Sequence, residues 1–125
     1  MHPVLAALER EGKLSDDDLQ FLLDNGRSYR GVRLPSGIAR RRPGACFDVA
    51  DEIEAEGGGR YIRGFALRPG GRLALAHAWN SRDGSTAIDA SWTREPDCSY
   101  WGLPRKHERR AARMMPVPFF HIPIF

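Results

Sequence analysis

The chain has 125 residues, of which 42% are hydrophobic and 28% charged. These values fit one folded domain with a sizeable core, residues 1–125 as a single unit, and exclude wholesale disorder, a fibre or two ordinary domains. With 19 basic against 16 acidic residues and a net charge of +3, charge alone does not define a nucleic-acid binder. Almost all the cations are arginines, however, and they cluster at 40–42 and 105–113, patches that suit solvated surface, an acidic protein or nucleic acid.

Residues 3–12 read as a short helix, with Val4, Leu5 and Leu8 on one side and Gly12 as its stop. The segment does not read as a secretion signal, because no basic region leads into a long apolar stretch. A second helix follows Ser15, whose hydroxyl can cap free amides while Asp16, Asp17 and Asp18 favour the positive end of the helix dipole; it ends at Asn25 and Gly26. Residues 3–24 are thus two N-terminal helices, expected as a lid or side wall. Residues 26–44 are irregular, with one short strand expected at 29–34.

Beyond Pro43 and Gly44, the apolar residues Cys46, Val49, Ala50 and Ile53 recur at helical spacing until Gly57, Gly58 and Gly59 end the run. Cys46 therefore falls in the first turn of an amphipathic helix. Three strands are expected next, over 60–67, 73–80 and 85–92, separated by turn residues and forming an antiparallel meander. In the second, Leu73, Leu75, His77 and Trp79 share one face and Ala74, Ala76 and Ala78 the other, the small face being suited to a helix. Residues 100–104 read as a turn and 106–113 as a basic helix. The apolar tail, 114–125, is broken by Pro116, Pro118 and Pro123 and reads as an extended segment.

No stretch approaches the roughly 20 apolar residues of a membrane span, so the expected compartment is the cytoplasm, though a domain cut from a secreted effector has the same composition. Neither cysteine lies in a zinc or redox-dithiol spacing, and His2, His77, His107 and His121 form no ligand pattern. No metal is implied, and without a glycine-rich phosphate loop no cofactor either.

Thiol chemistry needs an ionised sulfur, a base beside it and a group that orients the base. Cys46 at a helix start, where dipoles and free amides favour an anion, with His77 and Asp89 on following strands, supplies one of each. Taken singly, each has a plainer reading: a small buried hydrophobe, a satisfied core histidine, a carboxylate binding a turn. Their order and company carry the signal. Ala45-Cys46-Phe47, then Tyr61-Ile62-Arg63-Gly64-Phe65-Ala66, then His77-Ala78-Trp79, Ile88-Asp89-Ala90-Ser91-Trp92 and Tyr100-Trp101-Gly102 resemble the core of the transglutaminase-like branch of papain-fold proteins, among them short bacterial and phage proteins of this type.

The resemblance covers 44–102, about half the chain. It implies an α+β fold, with the cysteine helix packed on a small antiparallel sheet, and a triad in which Cys46 is nucleophile, His77 general base and then acid, and Asp89 the orienting residue. The Cys46 amide would supply one oxyanion donor, with Tyr29, Ser36 and Asn80 as candidates for the other; Trp79 and Trp92 flank the triad residues in sequence and are candidates for lining the site. The expected function is acyl transfer or hydrolysis on an amide of a protein or peptide, that is, a protease, deamidase or transglutaminase. The alternatives are a noncatalytic module that presents Trp79, Trp92, Tyr100 and Trp101 with arginines to an acidic protein or nucleic acid, and a toxin or effector domain with the same chemistry. Cys98 reads as a bystander, and the oligomeric state is open.

Overall fold

A computed structural model describes residues 1–115; the expectation for the tail from 116 onward lies outside the described residues. The fold is α+β. Helix α1 (Pro3–Glu11) begins at a proline, where a missing amide hydrogen costs nothing, and stops at Gly12 in the left-handed region (φ 66°). Helix α2 (Asp16–Asn25) is capped by Ser15, whose Oγ accepts the Asp18 amide at 3.1 Å. Helix α3 (Cys46–Ala55) starts without a side-chain cap. A short 3-10 turn (Arg105–His107) leads into α4 (Glu108–Met114).

The strands are β1 (Arg27–Gly31), β2 (Arg60–Leu67), β3 (Leu75–Ser81), β4 (Thr86–Ala87) and β5 (Ser99–Pro104), in the sheet order β3-β2-β5-β1-β4. β2 pairs antiparallel with β3 and β5, β5 antiparallel with β1, and β1 parallel with β4. The expected antiparallel meander is corrected: its first hairpin exists, but the third strand shrinks to two residues and joins the sheet beside β1. The expected turn at 100–104 is β5, the central strand, and the strand expected at 29–34 is β1, starting earlier and ending at Gly31.

The sheet curls until its ends meet. Ile88, just after β4, exchanges two backbone hydrogen bonds with Asn80 of β3 (2.7 and 2.9 Å). Alternation along the paired strands then sorts the side chains. Tyr29, Ile62, Ala66, Trp79, Ala87, Trp92, Cys98 and Tyr100 form one buried cluster in the concave interior. Outside, α1, α2 and α4 bury Val4, Leu8, Leu22, Ala111 and Met114 against Phe65 and Leu103, so the N-terminal helices are a wall. Helix α3 lies against the outer face too, with Cys46 and Ala50 packed on Tyr61 and Ala78. It covers the alanine face of β3, as the small residues imply, and therefore the face opposite the His77 side chain.

Two glycines let the interior fit. Gly64 and Gly102 face each other across β2 and β5. A Cβ on Gly102 would sit 2.6 Å from the Trp79 ring and from Ile62 Cγ2, and one on Gly64 would sit 2.1 Å from the Trp101 carbonyl oxygen.

Candidate active site

Among the described residues β3 is tied on its outer edge at Asn80 alone, and the chain then diverges: Asp89 turns into the interior while Ala90 packs on Val49 and Ile53 of α3. Nothing among the described residues pairs with the sheet edge beside His77, and Cys46, at the first turn of α3, lies near the imidazole there. The His77 ring interacts with both Asp89 and the Cys46 side chain. His77 Nε2 lies 2.7 Å from Asp89 Oδ2; because an ionised carboxylate can only accept, Nε2 is the donor and Nδ1 is the ring nitrogen left for the sulfur. His77 and Asp89 are each 1% exposed and Cys46 4%.

The carboxylate is held from four directions. Oδ2 also accepts the Tyr100 hydroxyl at 2.8 Å, and Oδ1 accepts the Ser91 amide (3.3 Å) and hydroxyl (3.2 Å). Burial alone would neutralise Asp89; the His77 charge and these hydrogen bonds outweigh it and hold the carboxyl below its usual value. Burial likewise opposes a charged imidazole, but Asp89, by charge and hydrogen bond, and the Cys46 side chain reverse the balance and push His77 up from 6.5 to about 9. Burial, then the Asp89 charge, push the Tyr100 hydroxyl well above its ordinary range, so it remains a donor. Aromatic faces complete the enclosure: Trp92 stacks on the His77 ring at 3.9 Å between centroids, and Arg68 covers the outer face of Trp92.

The other sequence candidates fall elsewhere. Asn80 donates both Nδ2 hydrogens, to the carbonyls of Ala50 (2.9 Å) and Gly59 (3.1 Å), so it locks α3 to β3. Tyr29 is buried edge-on against Trp79 and lines a cleft at one mouth of the curl. Ser36 is exposed in the turn after β1. Trp79 is 1% exposed, and its Nε1 is buried without a partner among the described residues. Of the candidate oxyanion donors, the backbone amide of Cys46 stands at a helix start with no side-chain cap.

Two residues acquire roles that sequence reasoning missed. Tyr100 and Ser91 both stood in the quoted motif segments, but only folding brings them to one carboxylate. Cys98, just before β5, is buried against Tyr100; its Sγ donates to the Arg94 carbonyl at 3.4 Å, and burial raises its pKa. The basic patches are largely matched internally, with Arg40 on Glu95, Arg41 on Glu52 and Glu56, Arg42 on Glu52, and Arg105 on Asp51 and Glu54. Among the described residues no His, Cys, Asp and Glu group could hold a metal ion, and no helix is long and apolar enough to cross a membrane. No protein-family model, curated protein or solved structure matches the chain.

Proposed function

We propose that the protein is a thiol-dependent acyl-transfer enzyme of the papain and transglutaminase type, acting on an amide of a protein or peptide. The observation that carries this reading is the buried His77 and Asp89 pair, with Cys46 as the other partner of the same ring. Thiol chemistry in the apolar interior requires that the base be oriented and that its charged form be tolerated, and Asp89 supports both.

In the reaction, the Cys46 thiolate attacks the amide carbon and the carbonyl π electrons move to oxygen. The resulting oxyanion is met by the Cys46 backbone amide. Collapse breaks the carbon–nitrogen bond, and the proton on His77 Nδ1 passes to the departing amine. A thioester remains on Cys46. Water or a second amine then loses a proton to His77, attacks the thioester and releases the sulfur, giving hydrolysis or transamidation. Because Cys46 is 4% exposed, the amide reaches the sulfur only after the site opens.

The aromatic-surface reading has less support, since Trp79, Trp92 and Tyr100 are buried at 1%, 8% and 0% exposure. The test is iodoacetamide labelling followed residue by residue. Cys46 should alkylate near neutral pH faster than Cys98, whose burial raises its pKa, and His77→Ala should slow Cys46 by about tenfold or more while leaving Cys98 unchanged. Equal rates at both thiols, or indifference to His77, would refute the triad.

A further inference from the structure

At the mouth of the curl where β1 and β2 begin and β3 and β5 end, the surface opens into a cleft of about 870 Å³, within the range of roughly 300–1,000 Å³ typical of small-ligand sites. No triad residue lines it, and Tyr29, Tyr61, Ile62 and Ser81 are the buried residues among its lining. Five cations line it: Arg27 at the start of β1, Arg60 at the start of β2, Arg82 just after β3, and Arg105 and Lys106 in the 3-10 turn, of which Arg105 is held by Asp51 and Glu54.

The other four hold no carboxylate among the described residues. Arg27 and Arg82 each donate to one backbone carbonyl, Gly84 and Gly58, at 3.2 and 3.1 Å, leaving the other donors of each guanidinium open. Three acids also line the cleft; Glu54 is paired with Arg105, whereas Asp83 and Asp24 accept only from neutral groups, so four unpaired cations face two unpaired acids. Asp83 accepts from Ser85 and Thr86 within its own turn, Glu54 from the Tyr61 amide and Arg105, and Asp24 from Gln20. The cleft therefore presents uncommitted positive charge around a volume large enough for a nucleotide-sized molecule.

We propose that this cleft binds a small ligand carrying two or more linked phosphoryl groups. Guanidinium forks match phosphoryl oxygens in pairs, and an ammonium adds a point charge. Cations converging from four elements suit an elongated polyanion better than a single phosphate. The site is independent of the chemistry at Cys46.

The experiment is calorimetric titration with sodium tripolyphosphate at an ionic strength of about 0.15 M, where diffuse surface attraction is screened. Saturable binding to one site is expected in the unmodified protein and equally in Cys46→Ser. Arg60→Gln combined with Lys106→Gln should weaken it by about tenfold or more. Arg33→Gln combined with Arg72→Gln, which removes the same charge at the opposite end of β1 and β2, should leave it unchanged. All four side chains are exposed, and thermal unfolding of each free variant confirms that it folds. Absence of saturable binding, equal weakening by the two pairs, or citrate binding as tightly as tripolyphosphate would overturn the proposal.

Discussion

Tyr100 and His77 donate to the same oxygen: the phenol reaches Asp89 Oδ2 at 2.8 Å and the imidazole Nε2 at 2.7 Å. The carboxylate is therefore positioned by the sheet's central strand as well as by its own turn, and its partner His77 comes from a third element. Tyr100→Phe keeps the ring and removes the hydroxyl. A hydrogen bond to a charged group contributes about 1.5–3 kcal/mol, so urea denaturation should show a loss at the lower end of that range, with Asp89 still held by Ser91. A loss within error of zero would mean that the phenol does not support the carboxylate.

Asp89→Asn removes the charge that offsets the burial of His77. The ring, now charged at the expense of its own desolvation, should titrate more than about one unit lower than its present value. Imidazole nitrogen chemical shifts followed against pH measure this directly. A titration unchanged near 9, the value the intact pair sets, would show that something other than Asp89 keeps the ring charged.

The same pair shapes stability against pH. His77 is raised from 6.5 to about 9 in the folded protein, so the folded state holds a proton there that the unfolded chain has released. That contribution is fully present below about 6.5 and is lost as pH climbs through about 9, an effect on the order of 3 kcal/mol at about 1.4 kcal/mol per unit. Asp89 is lowered from 3.8, so its contribution is present above that value and is lost as pH falls through the folded pKa. Chemical denaturation across this range should show a decline on the alkaline side that disappears in His77→Ala. An alkaline slope that survives the substitution would assign it to other groups.

Asn80→Ala leaves the carbonyls of Ala50 and Gly59 without their side-chain donor, and about 2–3 kcal/mol of stability should go with them. Alkylation of Cys46 in the folded variant should keep its rate. If the rate instead collapses while the fold persists, Asn80 acts at the site and not only as the clamp between α3 and β3.

The helices were legible because their signals are local. Pro3, Ser15 and the glycines at 12, 26 and 57 mark ends that the fold keeps within a residue or two, and Pro43 precedes the start of α3 by three. The β2–β3 hairpin was equally plain from two runs around a proline-glycine turn. β5 was not: Gly102 and Pro104 suggest a turn, and nothing nearby in sequence reveals that Gly102 is small because Trp79 packs over it. The third strand was overextended because Ile88, Ala90 and Trp92 alternate like a strand, although Asp89 must leave the ladder to reach His77. The three chemistry-bearing residues were visible as a set, while Tyr100 and Ser91 acquired meaning only through the curl, which is a tertiary property.

The sheet order also sets a sequence of events. β5 lies between β1 and β2, yet it is the last of the described strands to be synthesised, and Arg27 must wait for Gly102 and Ile62 for Pro104. Until then the nascent chain can close the β2–β3 hairpin, the Asn80–Ile88 bridge and the short β1–β4 contact, with two unpaired strand edges facing each other across a missing partner. Assembly is thus a late, nearly all-or-none step. Loss of the chain from Ser99 onward would leave no smaller version of the domain behind, only a hairpin and exposed edges prone to find one another between molecules.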